Sequence, residues 1–508
     1  MKFMETSDSK RINVTSKHLT IFLQTFGCQM NKLDSAIVES SLRDAGCQFV
    51  DNAKDADVVL LNTCSVRDHA EQRVMSHLGN LKHIKETRPD LVVGVIGCMA
   101  QRLGDELFKQ SAVDIVCGPA QIAEIPRLIS EAMQEKKKVV AVTEKIRQIS
   151  PDAQSLERFE IEYSGDDTDI PGQAYVRAMH GCDKFCSYCV VPYVRGPETS
   201  RPPEAIIGQT KRLAQNGIKQ VTLLGQRINA YEYKAGDKTY CLADLLGMIS
   251  EIDGIEWIKF VTSYPSQKYF KEIMLAMANL PKVCRYLHIP AQSGSDQILK
   301  AMNRGYTSAE YLELLDIARQ IVPDIAIAGD FIVGFPGETD DDFSQTVDLV
   351  KKARYKNSFI FKYSPRPGTI ADKRLEDNVP QEIKERRNHE LLKVQEEISR
   401  ALAAEFTGQT VKVLVEGPSK KARLTAEHAS GRAGLACPRM SLSGAPPNQS
   451  GGVNPTLQIP AVKNECQLIG RTAGDWIAVF NGPETLAGRF ANVKITRTSP
   501  LTLFGDLI

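Results

Sequence analysis

The feature that most constrains the fold is an alternation of short apolar runs with stretches of helical length, which recurs along most of the 508 residues. Residues 18–140 contain four such runs rich in β-branched residues, and they predict strands at 21–23, 58–61, 92–96 and 113–116. The stretches between them predict helices over 32–45, 67–87 and 101–111. This pattern is typical of a parallel sheet buried by helices on both faces. With right-handed crossovers it predicts a doubly wound α/β domain.

A second alternating region covers 171–405 and predicts six further strands, at 174–179, 220–225, 256–262, 285–289, 325–333 and 358–363. Six βα units fit an open (β/α)6 barrel, short of the usual eight, which leaves a wide mouth for a large substrate. A charged helix is predicted over 381–405. Residues 141–170 mix charges with Ser, Pro and Gly without periodicity and predict a linker, and residues 1–17 are interpreted as an N-terminal tail.

The last region, 406–508, has the pattern of a small β-barrel, with strand-like runs at 411–415, 476–480 and 490–495. It holds 11 Lys or Arg against 6 Asp or Glu, whereas the whole chain holds 63 against 62. We therefore expect any nucleic-acid contact to be local to this region, the alternative being a basic surface that binds nothing. An insertion at about 426–463, dominated by Ala, Ser, Gly and Pro, is predicted to be a flexible loop.

Composition excludes several classes of protein. A chain with 25% charged and 42% hydrophobic residues is not disordered throughout, collagen-like or a coiled coil. No apolar run approaches the roughly 18 residues of a bilayer span, and the first residues lack the apolar core of a signal peptide. We therefore expect a cytoplasmic protein without membrane contact. In that compartment twelve cysteines point to metal or redox chemistry rather than to disulfides.

The densest cysteine motif directly follows the first predicted barrel strand and has the sequence Cys182-Asp-Lys-Phe-Cys186-Ser-Tyr-Cys189. Three thiolates this close can hold a cubane iron–sulfur cluster and leave one iron open to an outside ligand. Zinc is the alternative metal, but a structural zinc closes with four ligands and His180 is the only local candidate for the fourth. The spacing therefore favours the cluster over zinc and over unliganded core cysteines.

A second group of cysteines is dispersed in sequence but shares one structural position. Cys28, Cys64 and Cys98 each come directly after a predicted parallel strand. Because the strands of a parallel sheet end at one edge, where ligands bind, we expect these thiols to converge on a second cluster. Buried apolar cysteines are the alternative. Cys117 also follows a strand, but it lacks a polar or glycine-rich lead-in and its strand is expected at the sheet edge, so we exclude it as a ligand.

Two sets of motifs carry a family resemblance. The loop of Cys182, Cys186 and Cys189, with Tyr188 before its last cysteine, resembles the signature of the radical S-adenosylmethionine superfamily. Segments 25–31, 62–67 and 97–102, which surround the other three cysteines, resemble the three signatures of the methylthiotransferase family within it. Further matches lie at 225–226, 229–231, 288–290, 292–295, 333–338 and 363–369. The resemblance runs from about residue 18 to the end of the chain.

The resemblance implies two [4Fe–4S] clusters and S-adenosylmethionine as cofactors. The auxiliary cluster would be held by Cys28, Cys64 and Cys98, and the radical-forming cluster by Cys182, Cys186 and Cys189. Sulfur held at the auxiliary cluster would be methylated by one S-adenosylmethionine, while a 5′-deoxyadenosyl radical made from another would take hydrogen from carbon 2 of an adenine. An aromatic C–H bond offers acid–base catalysis no polar leaving group, which is the physical reason for a radical.

The resemblance also implies a substrate and partners. Segment 62–67 is similar to the family branch that acts on N6-isopentenyladenosine next to the anticodon of tRNA, and the last region resembles the RNA-binding TRAM domain. An electron donor such as flavodoxin or ferredoxin and a donor of sulfur or clusters are implied as well, and we expect a monomer. The nearest alternatives are threonylcarbamoyl-adenosine in tRNA or an aspartate of a ribosomal protein as substrate. From a different class, the chain could be a non-catalytic iron–sulfur protein that binds RNA.

Other polar residues are expected at the carboxyl ends of the barrel strands, where substrate and cofactor contacts concentrate. As contacts to S-adenosylmethionine or substrate we predict Tyr188, Gln226, Asn229, Ser263, Gln292 and Asp330. Each of the polar ones could instead be a helix cap or a turn former. Arg227 and Ile228 depart from the Asn and Val that the family pattern has after Gln226.

Overall fold

The computed structural model describes residues 19–65, 68–144, 146–147, 160, 163, 165, 170–422 and 465–508. The predicted tail, most of the predicted linker and the predicted flexible insertion, with Cys437 in it, lie outside the described residues. Within those ranges, no helix combines the length and the apolar character that crossing a bilayer requires.

The first region folds into a wholly parallel sheet with helices on its faces, as predicted. Its strands are β1 (Thr20–Thr25), β2 (Gln48–Phe49), β3 (Val58–Thr63), β4 (Val92–Gly97), β5 (Ile115–Cys117) and β6 (Val139–Ala141). They lie in the order β2-β1-β3-β4-β5-β6. Its helices are Gln29–Asp44, Asp68–Thr87, Cys98–Leu103 and Ile125–Glu135, with 3-10 turns at Ala53–Asp55, Gly104–Lys109 and Pro119–Glu124.

The continuous apolar sequence of β3 and β4 matches their position, since both strands are buried along their whole length at the centre of the sheet. The sequence pattern missed β2, which has only two residues, and β6. This omission made one expectation wrong: β6 pairs with β5, so the strand of Cys117 is not at the sheet edge.

All six predicted barrel strands are present in the second region. The strands here are β7 (Gln173–Arg177), β8 (Met179–His180), β9 (Thr199–Ser200), β10 (Gln220–Leu224), β11 (Glu232–Ala235), β12 (Lys238–Cys241), β13 (Trp257–Phe260), β14 (Tyr286–His288), β15 (Ala326–Val333) and β16 (Asn357–Lys362). The barrel consists of two parallel sheets, β13-β10-β7 and β14-β15-β16. An isolated parallel bridge from Ile258 to Val283 lies between them. The open (β/α)6 architecture is therefore confirmed, with β16 as a free edge.

Helices connect and flank the strands of this region. They are Val191–Val194, Pro203–Gln215, Leu242–Ser250, Phe270–Asn279, Asp296–Ala301, Ser308–Ile321, Asp340–Ala353, Ile370–Arg374 and Gln381–Ala404, with a 3-10 turn at Ile228–Ala230. The short antiparallel pairs β8–β9 and β11–β12 are additions that the sequence pattern did not predict.

The last region is a closed five-stranded barrel, as predicted. Its strands are β17 (Thr410–Pro418), β18 (Glu465–Thr472), β19 (Ile477–Pro483), β20 (Phe490–Ser499) and β21 (Thr502–Leu507), with a 3-10 turn at Glu484–Leu486. They close in the order β17-β18-β19-β21-β20. Buried side chains such as Val413, Leu468 and Phe480 fill its interior. The sequence pattern missed β18 and β21, whose apolar residues are interrupted by Gly and polar residues.

A turn of this small barrel docks onto the amino-terminal ends of the larger barrel's strands. The Asp475 carboxylate accepts hydrogen bonds from Lys259 Nζ at 3.0 Å and Arg471 Nη1 at 3.1 Å, and it lies 3.5 Å from Lys356 Nζ. Both lysines are buried. Burial lowers the pKa of Lys356 to about 8, and the Asp475 carboxylate limits that fall. One carboxylate therefore compensates several cations at the contact between two domains.

Replacing Asp475 should destabilise this contact strongly. Asp475→Ala leaves two buried lysines without their carboxylate, and breaking a buried ion pair in this way costs about 3–5 kcal/mol. Urea unfolding followed by circular dichroism measures the change. The matched control is Lys412→Ala, since Lys412 forms an exposed ion pair with Glu256 across the same two domains and should contribute less than about 1 kcal/mol. Equal losses in the two variants would contradict the assigned role of Asp475.

Candidate active site

Cys28, Cys64 and Cys98 lie side by side at the carboxyl edge of the first sheet. They follow β1, β3 and β4, which are neighbours in that sheet. The Cys28 and Cys64 side chains are within hydrogen-bond contact. A negative charge on Cys28 raises the pKa of the Cys98 thiol, so these two side chains also interact. The structure thus brings the three thiols together although 36 and 34 residues separate them in the chain.

Two buried asparagines hold the first two cysteine loops against each other. Asn31 Nδ2 donates to Asn62 Oδ1 and to the Thr63 carbonyl, both at 2.9 Å. Asn62 Nδ2 donates in return to the Asn31 carbonyl at 2.9 Å. Gly27 completes the contact, because with φ at +137° a Cβ there would lie only 2.3 Å from Cys64 Cβ. The polar residues of segments 25–31 and 62–67 therefore fix the spacing of two thiols.

A chain of buried ion pairs connects this edge to the larger barrel. Asp34, on the helix after Cys28, accepts from Arg177 on β7 and from Arg195, which follows the second cysteine motif; each N–O distance is 2.7 Å. Glu160 pairs in turn with Arg177 at 2.7 Å and with Arg201 at 2.9 Å. All five side chains are buried. Alternating charges thus fix the first domain against the barrel.

Arg195 also sets the electrostatics of the first three cysteines. The hydrogen bond with Cys64 lowers the pKa of Cys28 to about 6, and the positive charge of Arg195 adds to this although burial opposes it. Burial raises the pKa of Cys98, while Arg195 counteracts that rise. A guanidinium beside two thiols favours thiolates, the form that binds a metal.

Cys182, Cys186 and Cys189 form the second group, in the loop after β8. A negative charge on Cys186 raises the pKa of both Cys182 and Cys189, as expected for sulfur atoms gathered in one loop. Burial raises the pKa of Cys189 to about 12, and the charge of Cys186 adds to the rise. Arg304 Nη1 lies 3.4 Å from Cys186 Sγ and 3.5 Å from the Tyr188 hydroxyl, where it can donate to the sulfur.

Each donor set contains three thiols, the number that would leave one iron of a cubane without a protein ligand, and both sets remain predicted ligands of iron–sulfur clusters. In the part of the chain that the structure describes, no three His, Cys, Asp or Glu side chains are arranged to hold one metal ion. A tetrahedral zinc needs sulfur ligands at about 2.3 Å from one centre, whereas a cubane carries each thiolate on a different iron corner. Burial, together with Arg177 and Arg195, lowers the pKa of His180 to about 4, and the imidazole is interpreted as a neutral part of this charged region.

Among the predicted contacts, Gln226 and Ser263 each have a buried polar atom that forms no hydrogen bond. Gln226 follows β10, and Ser263 follows the neighbouring strand β13. Gln226 Oε1 and Ser263 Oγ are buried without a hydrogen-bond partner. A buried polar atom without a partner is costly and marks a position where a ligand is expected.

Asp330 and Tyr188 have polar contacts at the site. Asp330 Oδ1 lies 3.0 Å from His288 Nε2, on the inner face of the barrel. Tyr188 packs against the apolar cluster that contains Ile298, Met302 and Phe335, and its hydroxyl lies 3.5 Å from Arg304 Nη1. Both remain predicted contacts.

Asn229 and Gln292 have structural roles in the loops at the carboxyl ends of the barrel strands. Asn229 exchanges hydrogen bonds of 2.8 and 2.7 Å with the backbone of Tyr264, so its amide holds two loops together rather than pointing a free group at a ligand. Gln292 has φ at +74°, and its backbone bonds to Asp330 and Ile332 on β15. A left-handed glutamine is uncommon and indicates a loop held in a special conformation.

Sequence reasoning missed the buried charges that surround the cysteines. Asp34, Arg177, Arg195 and Arg304 are isolated in the sequence, and none stands in a recognised spacing. What these residues share in the sequence is a position near a strand end or a cysteine motif. This position predicts burial only weakly, because most charged residues are exposed. Arg304 lies 4.5 Å from the ring centroid of Tyr264 and 5.0 Å from that of Tyr306. Arg227, one of the two residues that depart from the family pattern, lies 3.4 Å from the carboxylate of Glu198.

Cys117 lies apart from both groups in its interactions. Its thiol donates to the Gly118 carbonyl at 3.5 Å, and burial followed by the charge of Glu124 raises its pKa. The other cysteines interpreted as packing or surface thiols, Cys47, Cys241, Cys284 and Cys466, are free thiols as well. Exclusion of Cys117 as a ligand stays a prediction.

Three family models match the chain. Residues 20–118 match an uncharacterized protein family, UPF0004, residues 176–350 match the radical SAM superfamily, and residues 456–508 match the TRAM domain. They match the α/β domain, the open barrel and the small closed barrel in that order, which confirms the predicted fold class.

Curated relatives match over nearly the whole length. A tRNA-2-methylthio-N(6)-dimethylallyladenosine synthase from Rhodopirellula baltica is 41% identical over 96% of this chain and 95% of its own. The protein of that name from Aquifex aeolicus is 37% identical over 96% of this chain and 98% of its own. Among solved structures, a radical S-adenosylmethionine methyltransferase from Kitasatospora setae aligns with 16% identity and a TM-score of 0.49, over 70% of this chain and 77% of that one. The near-complete coverage by the relatives shows that the chain belongs to the family of tRNA-2-methylthio-N(6)-dimethylallyladenosine synthases, which are radical S-adenosylmethionine methylthiotransferases.

Proposed function

We propose that this chain adds a methylthio group to carbon 2 of N6-isopentenyladenosine next to the anticodon of tRNA. Its cofactors are two [4Fe–4S] clusters and S-adenosylmethionine. The observation that carries the proposal is the pair of cysteine groups, one at the carboxyl edge of a parallel sheet and one in the loop after β8, each with an arginine beside it: Arg195 at Cys28 and Cys98, and Arg304 at Cys186. A protein that only bound RNA would have no use for two such groups of thiols.

The six cysteines have distinct roles in this proposal. Cys28, Cys64 and Cys98 would hold the auxiliary cluster, and Cys182, Cys186 and Cys189 the cluster that binds S-adenosylmethionine. When bound, these groups supply the radical that removes a hydrogen atom and the sulfur that replaces it. The protein contributes thiolates, a fixed geometry and a site shielded from water.

The surrounding side chains position the reacting groups. Arg195 offsets the negative charge of the first thiolates, and Asp34 holds its guanidinium in place. Arg304 can donate to Cys186 and is itself held by the Pro290 carbonyl and the Tyr306 hydroxyl. Gln226 and Ser263 offer unused polar atoms for S-adenosylmethionine or substrate.

The proposal includes partners and a compartment. An external donor such as flavodoxin or ferredoxin would deliver single electrons, and a separate donor would renew the inserted sulfur. The chain would act as a monomer in the cytoplasm, where its tRNA substrate is found. RNA contacts are assigned to the small barrel, whose basic character suits phosphates.

Iron analysis tests the two cysteine groups directly. We expect about eight iron atoms per anaerobically reconstituted chain, because each cubane contains four. Replacing Cys182, Cys186 and Cys189 together by Ala should leave about four, and so should replacing Cys28, Cys64 and Cys98.

The control for this experiment is Cys117→Ala. Cys117 follows a strand of the same sheet but interacts with Gly118 and Glu124 instead of the three predicted ligands. Its substitution should leave iron content unchanged. Loss of about four iron atoms in this variant would make Cys117 a ligand and contradict the proposed open iron site.

Product analysis tests the reaction. With reductant, S-adenosylmethionine and tRNA carrying N6-isopentenyladenosine, the reconstituted protein should form 5′-deoxyadenosine and the 2-methylthio nucleoside, both measured by mass spectrometry. The variant lacking Cys28, Cys64 and Cys98 should still form 5′-deoxyadenosine but no methylthio product, since only the auxiliary group is removed. A wild-type protein that forms no 5′-deoxyadenosine would be the non-catalytic RNA-binding protein instead. Product on threonylcarbamoyl-adenosine alone would redirect the substrate assignment.

Exposed cations of the small barrel should contribute to tRNA affinity. Lys494 and Arg497 are both exposed on β20. The double variant Lys494→Ala/Arg497→Ala should bind tRNA more weakly and lower the slope of log K against log salt by about 0.9 for each phosphate that the protein no longer neutralises. Lys136→Ala is the control, because Lys136 is an exposed cation of the first domain. An unchanged slope in the double variant would contradict phosphate binding at this face.

A further inference from the structure

The free edge strand β16 presents two large aromatic side chains to solvent. Phe359 is 46% exposed and Phe361 is 40% exposed. Ile360, between them in sequence, packs against the main core. Ser358, directly before Phe359, donates through Oγ to Gln395 Oε1 on the helix Gln381–Ala404 at 2.8 Å. Because side chains alternate along a strand, the two phenylalanines point away from that helix and into the barrel.

The register of the sheet places both rings among residues of the candidate site. Phe359 is paired with Asp330, and Phe361 with Ile332. Paired residues of neighbouring strands lie on the same face of a sheet, so the rings share the inner face with Asp330. The His288 ring, bonded to Asp330, contacts Phe359 edge-on with centroids 6.2 Å apart.

The same face leads to the second cysteine loop. Ile332, next to Phe361, belongs to the apolar cluster that includes Tyr188, which lies between Cys186 and Cys189 in sequence. Asn357 precedes Phe359 by two residues on this face, and its Oδ1 is buried without a partner. An aromatic surface with an unused amide oxygen therefore runs along β16 toward the radical-forming site.

The helix Gln381–Ala404 covers the outer side of this edge strand, where Asn388 Nδ2 donates to the Ile360 carbonyl at 3.0 Å, but it leaves both rings exposed. Large apolar side chains in this position are expected to have an occupant. Side chains two residues apart on a parallel strand are spaced about 6.6 Å along it, and two phenyl rings at this spacing can cover a purine and a short substituent. Phenylalanine faces stack on nucleobases and also pack well against alkyl groups.

Resting on the function proposed above, we propose that Phe359 and Phe361 form the wall that receives the target adenine and its apolar N6 substituent. The rings contact the base and the alkyl group, and Asn357 offers its free oxygen to a hydrogen-bond donor of the base. This wall selects the alkylated adenine over plain adenine, because an alkyl group buries apolar surface that a bare amino group lacks.

Binding measurements on two tRNAs test the wall. The reconstituted full-length protein is titrated with the same tRNA carrying either N6-isopentenyladenosine or adenosine at the target position. The double variant Phe359→Ala/Phe361→Ala should lose about tenfold in affinity for the alkylated tRNA, within the range for stacking residues, and less for the plain one, which loses only the contacts to the base. Phe359→Leu/Phe361→Leu keeps apolar contact and should retain part of the preference. Leu275→Ala removes an equally exposed apolar side chain from the helix Phe270–Asn279 and should change neither affinity.

The outcomes separate this inference from the proposed function. Iron content and the circular dichroism spectrum should persist in the double variant, which shows that the barrel is intact. Unchanged preference for the alkylated tRNA, or an equal loss for both tRNAs, overturns the wall. If wild-type protein prefers the alkylated tRNA through these rings but makes no methylthio product, the wall stands and the proposed reaction fails.

Discussion

The buried ion pairs around Asp34 are the interaction on which the rest of this structure depends. Asp34 belongs to the first domain, while Arg177 and Arg195 belong to the barrel, and all three side chains are withdrawn from water. Charges are costly to bury unless they are paired, so this arrangement tolerates few alternative placements of the two domains. Because Arg195 also acts on Cys28 and Cys98, the contact that joins the domains is the same one that tunes the first cysteine group.

The two cysteine groups illustrate two ways of gathering ligands. One group is local, since a single loop after β8 carries all three thiols. The other is assembled by topology, because parallel strands end at a common edge and bring together residues that are distant in sequence. At the other end of the barrel, Asp475 fixes the small domain through buried lysines. Docking of the small barrel therefore leaves the cysteine loops at the opposite ends of the strands unobstructed.

Much of the architecture was predictable from periodicity. The six barrel strands, the strands β1, β3, β4 and β5 of the first sheet and the long helix Gln381–Ala404 were found where their apolar runs predicted them. The strands β2 and β6 were not predicted; β2 has only two residues, and β6 begins directly after a run of three lysines. That gap led to the wrong edge position for Cys117. Of the polar contacts predicted at the barrel mouth, Gln226 and Ser263 keep unused atoms, whereas the Asn229 amide is bonded to the backbone of Tyr264.

By itself the sequence determined the chemistry: which residues can supply thiolates, and which regions form parallel strands, a helix or a small barrel. These properties follow from side-chain type and spacing, which are local. Only the tertiary structure decided which charges meet, since Asp34 and Arg195 are 161 residues apart, and which face of β16 turns inward. Burial and pairing depend on distances between remote segments, and no local pattern in the chain encodes them.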